Sequence, residues 1–597
     1  MNKAEWCATY FGSEMPDCLP VPERREVSGG EWATFSIPAG TGLKAEELAA
    51  GVLLLLGEYG GLTEAGFLVW NGAVWQPLRQ EWKQDMEPAA LKEAVCTMLE
   101  AGASYEWEDK EAWELLGAEA GRGVAFSAGV EIPAEQKDGF GISFSAVPGK
   151  LEISYLDSLY TEPFIRVMAL SLREILRSLP VAKTLGDVHV TAAETMETLD
   201  NFNDNVHAYD RSKTIVEQFW ERAAEYPDNT AVIYEERSYT YAQVKDIASR
   251  LAGYIAGQGL GRGNTVAVFI PRSEYMVIAS LGVMRAGCAY EPLDPNYPDE
   301  RLSFMVKDAG ARLIIIADEL LSRLGNFPEF DGKVLRISEI QSLELPEKAA
   351  LEKIAVPLPD DLFMLIYTSG TTGVPKGVRL LQKNIVAYAA WYRRYFSPTA
   401  KHRVTCYNSY GFDGSLADMY PALTVGAGIV VIPEEKKLDL PALAEIIKKH
   451  HVYIADLPSQ VGRQFALSMD CPELKYIVVG GETLVPFKPV HPYIVANEYG
   501  PTEATVSITC YSMTEYEPDI PIGIPMDNTD IYIVDNAGRR VPPGALGELW
   551  VAGIQVAGGY LNRPEKTAEA FVPNPFSKKP DYETAYRTGD IARYRLD

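Results

Sequence analysis

From about residue 213 onward the chain alternates short apolar runs with amphipathic stretches. Thr265-Val266-Ala267-Val268-Phe269-Ile270, Ala311 to Ile316, Ile429-Val430-Val431-Ile432 and Tyr476-Ile477-Val478-Val479 have the length and apolar continuity of strands buried on both faces. Between them, Ile215 to Ala224 places Ile215, Phe219 and Ala223 at helical spacing, and Pro227-Asp228-Asn229 closes that helix as a turn. Tyr275 to Arg285 and Leu440 to His450 also read as helices. Alternation of this kind predicts an α/β fold with parallel sheets covered by helices. After residue 528 the apolar runs shorten, as in Ile531-Tyr532-Ile533-Val534 and Leu549-Trp550-Val551, and predict a smaller β subdomain.

Residues 1 to 195 follow another pattern. Ala45 to Leu56 and Ala89 to Leu99 read as helices, and Thr161 to Leu179 as a long amphipathic one. Gly123 to Ser127, Gly141 to Phe144 and Leu151 to Tyr155 read as strands. The run Gly51-Val52-Leu53-Leu54-Leu55-Leu56 is too short to span a bilayer and suits a buried helix. A polar stretch with Asn201, Asn203, Asp204 and Asn205 separates the two patterns. The expected division is therefore a lobe at 1–195, a linker at 196–212 and a larger domain at 213–597.

The segment Leu365-Ile366-Tyr367-Thr368-Ser369-Gly370-Thr371-Thr372-Gly373-Val374-Pro375-Lys376-Gly377-Val378 carries the most chemistry. An apolar strand runs into clustered hydroxyls and glycines, followed by one Lys. Such a segment can wrap a polyphosphate through backbone N–H groups, hydroxyl donors and a point charge. It lacks the Gly-Lys-Ser/Thr order of the P-loop. The order resembles the phosphate-binding loop of the adenylate-forming enzymes, which include nonribosomal peptide synthetase adenylation domains, acyl-CoA synthetases and luciferases. Further segments resemble the same family in sequence order: Ser238 to Val244, Arg285 to Pro295, Asn497-Glu498-Tyr499-Gly500-Pro501-Thr502-Glu503, Gly547 to Leu561, and Tyr586-Arg587-Thr588-Gly589-Asp590. The wording of Ala289 to Pro298 and of Ala557 to Phe571 is similar to the peptide synthetase branch.

The resemblance implies an adenylate-forming core, with two doubly wound sheets and a β subdomain. The front lobe resembles the C-terminal half of a condensation domain, a chloramphenicol-acetyltransferase-like α+β fold. That family's two-histidine motif is missing. The one adjacent pair, His450-His451, reads as a helix end, so the lobe is expected to be non-catalytic.

The implied reaction joins an amino acid to ATP as an aminoacyl-adenylate and then passes the acyl group to a carrier-protein phosphopantetheine thiol. By resemblance, Thr368, Ser369, Gly370, Thr371, Thr372 and Lys376 hold the phosphates, and Thr502 reaches the α-phosphate. Glu503 binds Mg²⁺, an ion that takes few carboxylates besides phosphate oxygens. Asn497, Glu498, Tyr499 and Gly500 form the adenine motif, and Asp590 accepts the ribose hydroxyls. The catalytic set is thus Thr368, Lys376, Thr502 and Glu503. Gly411-Phe412-Asp413-Gly414 resembles the substrate-amine motif, with Asp413 pairing the α-ammonium. The competing reading of Asp413 is a helix N-cap. The implied pocket wall is Phe412, Asp413, Gly414, Ala417, Ser459, Val478, Gly480, Glu498, Val506 and Ser507. Small residues at 414, 417 and 480 leave a deep cavity, and Ser459 and Glu498 place polar atoms at its far end. The expected substrate is aromatic, with L-tyrosine favoured because its phenol would pair with Glu498.

Three departures stand out. Glu291 replaces an apolar residue of the family pattern, and Gln382 replaces a His. The chain ends at Arg595-Leu596-Asp597, ahead of the family's hinge and small C-terminal subdomain with its catalytic Lys, which implies impaired activity of this stretch alone.

Composition narrows the alternatives. A formal charge of −27 argues against general nucleic-acid or anionic-membrane binding. Seven Cys without a C-x-x-C pair, and no signal-peptide pattern, fit reduced thiols in a cytoplasmic protein. The partners implied are an amino acid, a peptidyl carrier domain and a small MbtH-like activator. An acyl- or aryl-CoA ligase competes with this reading, but a carboxylate at Asp413 would sit desolvated beside an alkyl chain. A non-catalytic scaffold is the third reading.

Overall fold

A computed structural model describes residues 3–5, 7, 30–38, 43–107, 112, 115, 123–137, 139–147, 149–369 and 374–596. They fall into two compact units. The first draws on 1–202, 532–550 and 588–597, the second on 203–531 and 551–587.

The first unit is built on a mixed six-stranded sheet. Its strands are β1 (Trp32–Pro38), β2 (Glu64–Trp70), β3 (Trp75–Glu81), β4 (Gly123–Ala128), β5 (Phe140–Val147) and β6 (Lys150–Leu156), in the order β1-β6-β5-β4-β2-β3. The helix Ala45–Gly60 buries Val52, Leu53, Leu55 and Leu56 completely, so the short apolar run is core. A Cβ on Gly51 would stand 2.8 Å from Leu176, which explains how this helix closes onto the helix Glu162–Ser178. Thr161 caps the second helix by accepting from the Phe164 N–H at 3.4 Å. The sequence pattern did not reveal β1, β2 or β3. In β3, Gln76, Pro77 and Arg79 interrupt the apolar alternation, yet Arg79 is buried and pairs with Glu64 across the hairpin at 2.5 Å.

The second unit holds two sheets. One has the order β12-β11-β9-β10-β13-β14, with β9 (Thr265–Phe269), β10 (Ala289–Leu293), β11 (Leu313–Ile316), β12 (Lys333–Arg336), β13 (Leu362–Thr368) and β14 (Lys376–Leu381). It is parallel except for the antiparallel β13–β14 pair. The other has nine strands in the order β21-β20-β19-β18-β17-β15-β16-β7-β8. They are β7 (Thr230–Tyr234), β8 (Arg237–Thr240), β15 (Arg403–Cys406), β16 (Gly428–Val431), β17 (Ile454–Pro458), β18 (Tyr476–Gly480), β19 (Ile494–Tyr499), β20 (Thr509–Met513) and β21 (Ile524–Pro525). The segment β7, β16, β15, β17, β18, β19 is parallel throughout. Its strands are almost wholly buried, as continuous Val/Ile runs covered by helices require.

The helix Tyr275–Arg285 coincides with its sequence reading, and the helix Leu440–Lys449 ends at the His450-His451 pair. Glu291 lies fully buried in the central strand β10 with neither carboxyl oxygen hydrogen-bonded, and burial lifts its carboxyl to about 8. It is therefore held neutral, which reconciles an acid with an apolar position. Gln382 opens the helix Gln382–Phe396 and is fully buried with its amide atoms unpartnered.

Candidate active site

Parallel strands direct their C-terminal ends to one edge of the sheet, where the connecting loops diverge and leave room for a ligand. Here the ends of β15, β17, β18 and β19 deliver Tyr407-Asn408, Asp456-Leu457-Pro458, Gly480 and Glu498 to one cavity of about 410 Å³. Eight of the ten residues expected in the pocket line it: Phe412, Asp413, Gly414, Val478, Gly480, Glu498, Val506 and Ser507. Gly480 answers to packing as well as cavity depth, because a Cβ there would stand 2.8 Å from the Glu498 carbonyl oxygen on the neighbouring strand.

Ala417 and Ser459 are buried outside the lining. The Ser459 hydroxyl lies 3.1 and 2.9 Å from the carbonyl oxygens of Gly480 and Glu482. It serves backbone carbonyls rather than the far end of the cavity, where it was expected.

Asp413 sits at the N-terminus of the helix Gly414–Leu423, but its side chain makes no capping bond. The N-cap alternative therefore does not account for this carboxylate. Burial among protein atoms raises its carboxyl to about 6, against the pull of the nearby Thr502 side chain, while Glu503 raises it further. Glu498 is buried on β19; Tyr388 donates to its Oε2 at 3.1 Å, and Oε1 has no partner. Burial lifts Glu498 to about 7, opposed by the Ser507 and Tyr388 hydroxyls.

The phosphate-loop segment spans the β13–β14 hairpin, with Thr368 and Lys376 as the closing pair. Gly370, Thr371 and Thr372 lie outside the described residues. Ser369 is exposed, and the Thr368 hydroxyl is buried without a hydrogen-bond partner. Lys376 Nζ donates to Glu503 Oε1 at 2.7 Å and to the Tyr560 hydroxyl at 2.7 Å, and Tyr560 donates to the same Glu503 oxygen at 2.7 Å. Glu503 is buried in the short turn Thr502–Ala504. No cluster of three His, Cys, Asp or Glu suited to a metal occurs among the described residues. One buried carboxylate beside a phosphate loop fits an ion held chiefly by phosphate oxygens and water, the usual habit of Mg²⁺.

Asn497 is nearly buried and its amide donates to the Pro521 carbonyl at 3.0 Å. Tyr499 ends β19 opposite Thr509, and Gly500 lines the cavity. Asp590 belongs to the first unit, where it is exposed and its N–H donates to the Thr588 hydroxyl at 3.0 Å.

Four residues that line the cavity or contact the candidate site residues escaped the sequence reading: Asp456, Tyr388, Tyr560 as partner of Lys376, and Gln555. Gln555 is fully buried and donates to the Ser507 carbonyl at 2.7 Å, while Thr505 donates to the Gln555 carbonyl at 2.7 Å. Between them Thr505 and Val506 hold φ of 60° and 69°. A β-branched residue in the left-handed region is strained, and Gln555 braces that strained wall of the cavity.

The profile of the AMP-binding enzyme family matches residues 219–561. Bacitracin synthase 1 of Bacillus licheniformis is 34% identical over 455 residues, covering 75% of this chain and 8% of that protein. Tyrocidine synthase 3 of Brevibacillus parabrevis is 34% identical over 506 residues, covering 82% and 8% respectively. The chain thus spans about a tenth of the length of such relatives. Among solved structures, holo-AB3403, a four-domain nonribosomal peptide synthetase bound to AMP and glycine, superposes with a TM-score of 0.84 at 19% identity, over 100% of this chain and 50% of that one. The nonribosomal peptide synthetase FmoA3 in its AMPPNP-bound form gives 0.80 at 20% identity, over 99% and 69%.

Proposed function

The chain belongs to the AMP-binding enzymes, and from that premise we propose that it is the amino-acid-activating part of a nonribosomal peptide synthetase module. A substrate carboxylate oxygen attacks the α-phosphorus of ATP, the bond to pyrophosphate breaks, and an aminoacyl-adenylate results. A carrier-domain phosphopantetheine thiol then displaces AMP and forms a thioester. No protein nucleophile is required, so the protein's task is positioning and charge stabilisation.

One observation carries the reading. The Asp413 carboxyl is influenced by the adjacent Thr502 and Glu503 side chains, and that same Glu503 accepts from Lys376 at 2.7 Å. A carboxylate suited to an α-ammonium thus adjoins the groups suited to phosphates. Asp413 holds the amine and Lys376 faces the phosphates. The buried, unpartnered Thr368 hydroxyl supplies a donor. Mg²⁺ at Glu503 would neutralise phosphate charge, and Lys376 would then exchange its Glu503 contact for the nucleotide. The adenine role of Asn497 through Gly500 and the ribose role of Asp590 rest on their motifs. The first unit is proposed to have no condensation activity of its own, since the chain lacks the two-histidine motif. The expectation of L-tyrosine rests on Glu498, whose Oε2 already accepts from Tyr388.

Calorimetry with a non-hydrolysable ATP analogue and Mg²⁺ tests the assignment. Lys376→Ala should weaken nucleotide binding at least about tenfold, the worth of a lost charge-assisted bond. Asp413→Asn should abolish amino-acid binding and leave nucleotide binding in place. Nucleotide affinity indifferent to Lys376→Ala would remove the phosphate assignment.

A further inference from the structure

Asp456 lies in β17 (Ile454–Pro458) and lines the same cavity as Glu498. Its N–H is fixed by the Thr405 hydroxyl at 3.1 Å, and its Oδ1 accepts from Asn408 at 3.4 Å. Asp418, behind it, is satisfied by the backbone N–H groups of Tyr407 and Asn408 at 2.9 and 2.8 Å. Nothing comparable neutralises Asp456 or Glu498. No Lys, Arg or His among the described residues forms an ion pair with either one. Lys437, the one cation lining the cavity among the described residues, pairs with Glu434 at 3.6 Å and lies over the Tyr407 ring at 5.0 Å. Glu498 is 95% buried by its 5% exposure, and its Oε1 has no partner.

Two carboxylates that line one cavity, with an oxygen of the buried Glu498 left unpartnered, are costly without a counter-charge. Asp413 already meets the requirement of the α-ammonium. We infer that the amino acid selected here carries a cationic side chain, an amine or guanidinium seated between Asp456 and Glu498, with Asp456 as the specificity-determining residue. This rests on the adenylation reading above. A phenol offers one donor, and Glu498 already accepts one from Tyr388, so tyrosine would leave Asp456 desolvated and unpaired. An ammonium brings three donors and a charge.

The electrostatics of the empty cavity agree. Burial, then Asp418 and Glu498, hold Asp456 well above the usual carboxylate range. Tyr388 and Tyr392, from the facing helix, are themselves pushed up by burial and by Glu498 and Asp456. A bound cation favours the ionised carboxylates, and with the Glu498 carboxyl lifted to about 7 its binding releases protons near neutral pH.

Calorimetry of the chain with AMP, titrated with L-lysine, L-ornithine, L-arginine, L-tyrosine, L-phenylalanine and L-asparagine, tests the inference. At least one cationic amino acid should bind about tenfold or more tighter than every neutral one. Its binding should release protons, seen as a heat that changes with the ionisation enthalpy of the buffer. Asp456→Asn keeps an acceptor for Asn408. It should weaken the cationic ligand about 30-fold or more, leave neutral ligands unchanged, and suppress proton release; Asp456→Glu should restore part of the affinity. Tighter binding of tyrosine or any other neutral amino acid overturns the inference and leaves the adenylation reading intact. Equal weakening of all ligands by Asp456→Asn, with an unchanged melting profile, overturns the role of Asp456. Failure of every amino acid to bind, with AMP or without, overturns the adenylation reading instead.

Discussion

Replacing Glu498 by Gln should stabilise the ligand-free protein, and only at high pH. The side chain is buried, accepts one hydrogen bond from Tyr388 at 3.1 Å, and leaves Oε1 unpartnered. Gln preserves the acceptor for Tyr388 and removes the charge. The magnitude follows from the carboxyl's rise from 4.5 to about 7. A group whose folded pKa is raised contributes stability that is complete below the unfolded value and is lost as pH rises through the folded one. Between 4.5 and about 7 that loss amounts to about 3 kcal/mol at 1.36 kcal/mol per pH unit. At pH 5 the same linkage leaves under about 1 kcal/mol. Asp456 shares the repulsion, so the net gain for Glu498→Gln at pH 8 should lie at about 1–3 kcal/mol. Urea unfolding of wild type and variant at pH 5 and pH 8, followed by tryptophan fluorescence, reads it out. Trp391 is buried with its ring 5.7 Å from that of Tyr388, so the signal includes the helix that carries the contact. An equal change at both pH values, or a loss that grows at pH 8, would refute the reasoning.

Two further outcomes follow from the site. Gln555→Ala removes the brace on Thr505 and Val506 and should cost about 1–3 kcal/mol of stability. In the same variant amino-acid affinity should drop more than AMP affinity, and a parallel drop in both would show that the brace does not act on the cavity. Because Asp413 must be ionised to pair an ammonium and its carboxyl is raised to about 6, amino-acid affinity should rise with pH through that value. Below it the rise approaches about tenfold per pH unit, and a flat calorimetric profile between pH 5 and 7 would show that Asp413 does not hold the amine.

Much of this was readable in local patterns. The continuous apolar runs at 265–270 and 476–479, and the helical spacing at 275–285, depend only on neighbours, and they fall in β9, β18 and the helix Tyr275–Arg285. The phosphate-loop chemistry from Thr368 to Lys376 is likewise written in consecutive residues. Strand β3 was hidden because a buried Arg79 reads as surface until its partner Glu64 is placed across the hairpin. The acid at 291 reads as an anomaly until burial in β10 is seen to hold it neutral.

The amino-acid cavity is where local information ends. Phe412, Asp413 and Gly414 are contiguous, and motif order alone points to them. Asp456 and Glu498 lie more than forty residues away and from each other. Each is one ordinary carboxylate within a short, largely apolar strand. Whether it faces solvent, a backbone N–H or a cavity depends on strand order and register, and parallel strands take both from long crossovers. Once β17, β18 and β19 lie side by side in register, Asp456 pairs with Val478, and Gly480 with Glu498. Only that placement turns separate acids into one acidic wall. The sequence determined the reaction class through contiguous loops; the acidic lining from which a cationic substrate is inferred was assembled by tertiary packing, because electrostatic energy depends on distance in space and not along the chain.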